Sequence, residues 1–347
     1  MKRFQHAFSP VAFKSLTLAV MFALPTAVVA HNHSKAEDDQ HYALPKSATA
    51  QDFIAIFKEI NGEHPGIRKA HARGVCAVGE FTPSTAAKQR FTSPLFQVDN
   101  APLTLRFSMG GGNPNADERR GARGVGIQFE LPNNQSHTIA GITSPVFSGA
   151  TPNHFLGLLQ WNLKMMRGEA TREDVQKFMA AHPSMQPAIE WNRGRTASAE
   201  YTSATYYGIH ALWANTQGDA QKFRWQLVPQ AGEKNLTKQQ VESGPQSFLT
   251  ERLIEQVKND GAVTFDWHWT IGAADDPTND PSAQWPADRE QVHVGTITVT
   301  SAGGEACTPI NFDPVRVARG IRPSDDPVLP IRSAAYAISF GQRLSNQ

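Results

Sequence analysis

Near the carboxyl end of the chain, three polar residues recur at helical spacing. Arg332, Tyr336 and Arg343 are separated by four and then seven positions, so a helix would place them on nearly one face. A cation one turn from a tyrosine favours the phenolate form, and a phenolate is an axial ligand for haem iron. An amphipathic closing helix with one buried tyrosine and two surface arginines would explain the same spacing.

A second candidate for chemistry is His71, which lies among small residues and glycines between positions 68 and 81. An imidazole in such a segment could face a cavity and transfer protons, because histidine titrates close to neutral pH. An ordinary core or surface histidine is an equally simple interpretation of this residue alone. Neither His71 nor Tyr336 decides the function by itself.

The segment from Arg68 to Phe81 resembles the distal-histidine signature of the haem catalases, R-x-x-H-A-[KR]-G-x-x-A-x-G-x-F. Further segments resemble catalase landmarks, and they follow in the same order along residues 48–347. They are Arg106-Phe107-Ser108, Arg123-Gly124, Ser144-Pro145-Val146-Phe147, Trp285-Pro286, Val294-Gly295, Asn311-Phe312-Asp313-Pro314, Gly320-Ile321 with Pro323-Ser324, and Arg332 with Tyr336.

This resemblance implies a haem b group between His71 and Tyr336. Tyr336 would bind the iron, and Arg332 would hold it as the phenolate. His71 would move a proton from one peroxide oxygen to the other, while Ser108 would hydrogen-bond the imidazole and fix its tautomer. Guanidinium groups that would bind the haem propionates are Arg68, Arg106 and Arg343.

Phe155 resembles the aromatic residue that stacks on the haem, although ordinary core packing explains it as well. Catalases carry an asparagine before the T-P-x-F segment, and the resemblance places Thr143 there, with Ile142 before it. Neither side chain has an amide to orient a second peroxide. The chain also lacks the C-terminal region of large catalases, so a tetramer is not implied and a monomer or small homo-oligomer is expected.

These departures favour a small catalase-related peroxidase, with hydrogen peroxide and a small organic reductant as its partners and with weak or no catalase activity. Two alternatives remain within the haem-binding interpretation: a non-catalytic periplasmic haem-binding protein, and a lipid hydroperoxide-transforming member of the superfamily. A lipocalin-like barrel that holds another small ligand is a third alternative.

The first thirty residues have the pattern of a secretory signal peptide. Lys2 and Arg3 precede an apolar run over 16–30 that ends in small residues. We therefore predict a signal over 1–30, an exposed lead-in over 31–47, a periplasmic location and no membrane attachment after cleavage. If cleavage follows Ala30, the new terminus His31-Asn32-His33 has the nitrogen donors of a copper or nickel site, although two histidines arise there easily by chance.

Hydrophobic periodicity predicts an α+β fold with an antiparallel β-barrel core, helical insertions and a C-terminal haem-binding helix. Strands are expected at 103–108, 125–131, 137–142, 205–213, 223–228, 263–271 and 293–300. Helices are expected at 50–60, 155–166, 171–181, 248–257 and 331–344. We expect a single domain over 48–347.

The net charge and the two cysteines bear on the class of protein and on its redox environment. The net charge of +1 argues against nucleic-acid binding, which needs clustered positive charge. Cys76 and Cys307 are the two cysteines of the chain. In an oxidising compartment they could pair, or they could be two small buried hydrophobic residues.

Overall fold

In the computed structural model, which describes residues 41–259 and 261–346, the central feature is an antiparallel sheet. Its order is β4-β3-β2-β1-β8-β7-β6-β5-β9, and pairing of Ile142 with Tyr207 joins β4 to β5. The first eight strands therefore close into a barrel. The strands are β1 Gly74–Pro83, β2 Ala101–Met109, β3 Arg123–Leu131, β4 Gln135–Ile142, β5 Tyr206–Ala214, β6 Gln221–Pro229, β7 Val263–Ile271, β8 Gln291–Ala302 and β9 Ile321–Pro323.

Large apolar side chains fill the barrel because successive residues of a strand point to opposite faces. In β7, Phe265, Trp267 and Trp269 are buried and alternate with less buried residues. In β2, Leu105 and Phe107 belong to the same buried cluster, so Arg106 and Ser108 face the outer side of the wall. Full burial of one such apolar side chain stabilises the fold by roughly 1.5–3 kcal/mol.

Eight α-helices accompany the barrel in the described part of the chain. They are α1 Ala50–Asn61, α2 Thr85–Arg90, α3 Pro152–Met166, α4 Arg172–Ala181, α5 Gln186–Asn192, α6 Lys238–Ser243, α7 Leu249–Asn259 and α8 Val328–Leu344. Helix α1 contacts both α3 and α8. At its start, Thr49 and Asp52 form a reciprocal capping box. Within the described residues, none of the helices has the length and apolarity needed to cross a bilayer.

The predicted α+β barrel is confirmed, and each predicted strand and helix is present with ends that differ by a few residues. Strand β1 was not predicted, because it lacks alternation: its residues are buried on both faces near Val75 and Cys76. It also contains Gly79 at a shift of register against β8, where a Cβ atom would lie 1.9 Å from the Thr298 carbonyl oxygen. A glycine there allows the close approach of two backbones.

The structure resolves the two interpretations of the cysteines, since Cys76 and Cys307 form a disulfide with a Cα–Cα distance of 5.2 Å. The expected exposure of the lead-in is wrong at Tyr42, which is buried in a cluster with Trp161 and Phe178. An aromatic ring beside an open apolar surface gains more by packing than by exposure. The predicted signal and the His31-Asn32-His33 terminus lie outside the described residues.

Candidate functional site

A cavity of about 430 Å³ lies between the outer wall of the barrel and helices α1, α3 and α8. The described residues that line it include every predicted site residue except Arg343. These are Arg68, His71, Arg106, Ser108, Phe155, Arg332 and Tyr336. Residues far apart in the chain thus meet around one space.

His71 lies just before β1, in a left-handed backbone conformation with φ of 53°. Two guanidinium hydrogen bonds hold this segment, because Arg106 donates to the carbonyl oxygens of His71 at 2.8 Å and Ala72 at 2.9 Å. Such a backbone conformation costs free energy for a residue other than glycine, and it marks functional sites when the surroundings enforce it.

The His71 ring is positioned by Ser108 and Gly124. Its Nδ1 lies 3.0 Å from the Ser108 hydroxyl oxygen, and that hydroxyl lies 3.4 Å from the Gly124 carbonyl oxygen, to which it donates. The hydroxyl oxygen is then left to accept from Nδ1–H, which leaves Nε2 as the basic nitrogen. A Cβ atom on Gly124 would lie 2.6 Å from the imidazole, so only glycine leaves room for this ring.

Burial is the main cause that lowers the pKa of His71 to about 4, and the cations Arg106, Arg332 and Arg68 lower it further. The ring borders the cavity, so part of its surface is accessible although protein surrounds it. The imidazole is therefore neutral near pH 7 and can accept a proton.

The charges around the cavity are positive without a compensating acid, since its described lining contains no aspartate or glutamate. Burial, followed by repulsion from Arg106 and Arg343, lowers the pKa of Arg68 to about 9. Burial also lowers the pKa of Arg106 to about 10. An anionic ligand would relieve this repulsion, and the remaining lining is mostly apolar. A flat apolar group with carboxylates, such as haem, fits this combination.

Tyr336 is connected to a buried chain of hydrogen bonds. Arg332 donates from Nη2 to the Tyr336 hydroxyl oxygen at 3.2 Å and from Nη1 to His210 Nε2 at 2.7 Å. Since a guanidinium only donates, His210 carries its proton on Nδ1 and gives it to Asp326 Oδ2 at 2.6 Å. Burial lowers the pKa of His210 to about 4, so Asp326 accepts this hydrogen bond from a neutral ring.

Asp326 also fixes the start of the helix that carries Tyr336. Its Oδ1 accepts from the backbone N–H of Val328 at 2.8 Å, at the first residue of α8. A carboxylate at a helix start satisfies an otherwise unpaired amide and interacts favourably with the helix dipole. The Asp326 side chain therefore orients both helix α8 and the series of hydrogen bonds that ends at Tyr336.

Phe155 and Arg343, both predicted to bind the cofactor, lie in different surroundings. Phe155 lines the cavity and stacks on Phe53, with ring centroids 5.7 Å apart. Arg343 is buried outside the cavity lining, where it donates to the carbonyl oxygens of Thr308 and Ile310. Arg343 thus supports the loop beside the cavity.

The resemblance places Thr143 where catalases carry an asparagine, with Ile142 before it. Thr143 does not line the cavity; its hydroxyl oxygen accepts from the Arg123 backbone N–H at 3.1 Å. Ile142, one residue earlier, lines the cavity instead. The single amide side chain among the described lining residues, Asn311, comes from the loop beside Phe312, which clusters with Tyr336. The His71 side therefore has an apolar residue where the resemblance predicts a polar one.

Sequence reasoning missed His210 and Asp326. A histidine within the otherwise apolar strand Tyr206–Ala214 is a weak signal for a buried polar partner. Asp326 precedes Pro327 at a helix start, which is typical of a capping residue. Neither signal indicates that the two side chains meet each other, or that His210 meets Arg332.

Comparison with known proteins places these observations in a family. A family model described as Catalase matches residues 29–347. The chain is 38% identical over 301 residues to a catalase-related peroxidase of Synechococcus elongatus, covering 85% of this chain and 88% of the relative. It is 33% identical over 304 residues to a catalase-related peroxidase of Mycolicibacterium paratuberculosis, covering 85% of this chain and 95% of that protein.

Solved structures with a similar fold include a fungal catalase, with a TM-score of 0.70 and 21% identity over 81% of this chain and 60% of that one. Catalase A from Saccharomyces cerevisiae has a TM-score of 0.67 and 21% identity, over 81% of this chain and 62% of that one. The chain thus spans about three fifths of these larger proteins. At this identity the likeness concerns the fold.

Proposed function

The chain belongs to the catalase family, and we propose that it is a haem peroxidase that reduces hydrogen peroxide or an organic hydroperoxide while it oxidises a small organic donor. The observation that carries this proposal is the shared cavity of His71 and Tyr336. A buried base held by Ser108 and a phenol held by Arg332 both border it. Named catalase-related peroxidases among the relatives support the same reaction class.

The chain's own residues would hold haem b as follows. The Tyr336 oxygen would be the ligand for the iron, and Arg332, which donates to that oxygen, would support it as a ligand. Arg68 and Arg106 would pair with the propionates, and Phe155 would pack on the ring. Bound haem supplies the iron that binds peroxide and the electrons that cleave its O–O bond.

His71 performs the proton transfer. Its Nε2 accepts a proton from one peroxide oxygen and then returns it to the other, which leaves as water or as an alcohol. Ser108 holds the Nδ1–H so that the ring cannot change tautomer between these two steps. General acid–base catalysis of this kind contributes about 10²–10⁴ in rate.

Weak or absent catalase activity follows from Ile142. Oxygen release requires a second peroxide to act as the reductant, and that peroxide needs a hydrogen-bond donor to orient it. An isoleucine side chain offers none, whereas an electron from an organic donor needs no such orientation. Simple haem storage is a weaker interpretation, because storage does not need the hydrogen-bonded pair of His71 and Ser108.

We also propose that the protein acts in the periplasm after cleavage of the predicted signal. The disulfide between Cys76 and Cys307 supports this location, because such bonds persist in oxidising compartments.

An absorption spectrum of the purified protein, followed by peroxide with and without a phenolic donor, tests the function. We expect a Soret band, donor oxidation and little oxygen release. His71→Ala should keep the Soret band and lose at least about a hundredfold in the rate of reaction with peroxide. The matched control is His268→Ala, on the barrel exterior, which should behave as wild type. Vigorous oxygen release without a donor would contradict the peroxidase assignment.

A further inference from the structure

The Cys76–Cys307 disulfide lies directly behind the wall of the cavity. Cys76 is on β1, five positions after His71, and Cys307 is in the segment 303–320, which has no helix or strand. Both cysteines are buried with Phe312, and the partly buried Ile310 and Tyr336 pack against this cluster. The Cys307 backbone N–H also donates to the Cys76 sulfur at 3.1 Å.

The part of this segment from 303 to 312, the cavity loop, binds two arginines through its backbone, Arg68 of the cavity lining and Arg343 outside it. Arg68 Nη2 donates to the carbonyl oxygens of Cys307 at 3.1 Å and Ile310 at 3.0 Å. Arg343 donates to Thr308 and Ile310. These bonds leave other guanidinium donors of Arg68 for a ligand in the cavity. The position of the loop therefore determines where the Arg68 guanidinium lies.

The end of the same loop forms part of the cavity surface. Asn311 and Phe312 line the cavity, and a Cβ atom on Gly126 would lie 2.7 Å from the Phe312 ring. Phe312 thus fits closely against β3, and the Arg68 guanidinium lies 5.6 Å from the centre of its ring. A small displacement of the loop would move Phe312, Arg68 and the packing around Tyr336 together.

Apart from the disulfide and the two arginines, few bonds hold the cavity loop in place. Two backbone hydrogen bonds within it, from Thr308 to Glu305 and from Ile310 to Cys307, define local turns. Gly303 donates to the Cys76 carbonyl oxygen at 2.8 Å, next to the disulfide. Arg68 and Arg343 repel each other, since Arg343 contributes to the lowered pKa of Arg68. Hydrogen bonds from two cations that repel each other hold the cavity loop only weakly. The disulfide is the strong constraint on its position.

We propose that the Cys76–Cys307 disulfide is a positioning element that preforms the haem-binding wall, so that haem retention depends on oxidative folding. This inference rests on the proposed function. The step is thiol–disulfide exchange: the two thiols lose two protons and two electrons to the disulfide of a thiol oxidant, which becomes a dithiol as the Cys76–Cys307 bond forms. Since both sulfurs are buried in the folded protein, the bond forms during folding and then persists.

The test compares the oxidised protein with a variant that keeps the buried packing but lacks the bond, Cys76→Ala with Cys307→Val. Haem transfer from each loaded protein to an excess of an apoglobin acceptor gives the rate of haem loss. We expect the variant to lose haem at least about tenfold faster, which corresponds to about 1.4 kcal/mol. Hydrogen exchange of the cofactor-free proteins should be faster at 303–312 in the variant.

A chemical rescue separates the covalent tie from the cysteine side chains. Wild-type protein that is unfolded, reduced, re-bridged by one methylene group between the sulfurs and then refolded with haem should retain haem as the oxidised protein does. Glu305→Gln, an exposed change in the same loop, is the matched control and should leave the rate unchanged. If the double variant does not fold, hydrogen exchange of wild type refolded from denaturant with a thiol oxidant, and of wild type refolded in the continued presence of a dithiol reductant, makes the same comparison.

Equal rates of haem loss with and without the bond, or unchanged exchange at 303–312, would overturn the inference. Absence of a Soret band in the oxidised wild type would instead overturn the proposed function. The two failures are therefore distinguishable.

Discussion

Acidification from pH 7 to pH 5 should leave the reaction of the haem-loaded protein with peroxide nearly unchanged. His71 must be neutral to take a proton, and its pKa is lowered to about 4 by burial and by the nearby Arg106, Arg332 and Arg68. The catalytically competent form is present above that pKa and is lost as pH falls through it. A histidine in water, with a pKa near 6.5, would already be mostly protonated at pH 5.

The size of the difference follows from the two pKa values. At pH 5, a group with a pKa of about 4 is roughly 90% neutral, whereas one with a pKa of about 6.5 is roughly 3% neutral. The two cases differ about thirtyfold in the expected rate constant. This is much larger than the error of a stopped-flow measurement.

The assay is the second-order rate constant for the change in Soret absorbance after mixing with peroxide, measured from pH 3.5 to 8. A flat profile down to about pH 5 and a half-maximal rate near pH 4 are expected. His268→Gln, a change on the barrel exterior, should give the same profile. A midpoint near pH 6.5 in wild type would refute the argument that burial and the arginines keep His71 neutral.

Four further predictions use other parts of the site. Ile142→Asn places an amide donor at the cavity and should increase donor-independent oxygen release, measured with an oxygen electrode; an unchanged release would contradict the role of Ile142. Gly124→Ala should slow the reaction with peroxide at least about tenfold, because the new methyl group meets the imidazole at 2.6 Å; a wild-type rate would show that the ring has space to move. His210→Gln should shift the absorption bands of the haem-loaded protein by weakening the support of Arg332, and Asp326→Asn should give a shift in the same direction; spectra identical to wild type would show that this chain of hydrogen bonds does not affect Tyr336. Burial lowers the pKa of His137 to about 3, so between pH 7 and pH 5 the unfolded state gains a proton at this residue that the folded state does not. The free energy of unfolding of the cofactor-free protein, measured with urea, should therefore fall by about 2 kcal/mol more in wild type than in His137→Phe over this pH range.

Local patterns in the sequence were sufficient for much of the fold. Alternation of apolar residues predicted strands such as Val263–Ile271, because side chains on a strand face the core at every second position. The spacing of Arg332 and Tyr336 placed both on one helix face, and the structure joins them at 3.2 Å. His71, Ser108 and Tyr336 were predicted from collinear motifs, and all three line one cavity.

Other features depended on contacts between residues that are far apart in the chain. The buried chain from Tyr336 to Asp326 runs through His210, which lies 122 positions from Arg332, and the disulfide joins residues 231 positions apart. Whether Ile142 or Thr143 faces the cavity depends on strand register, because a shift of one residue exchanges the two faces of a strand. Residue types and local spacing thus determined which chemistry was available. Only the closed barrel and the packing of α8 against α1 decided which of those residues meet, because distant side chains meet only after the chain has folded.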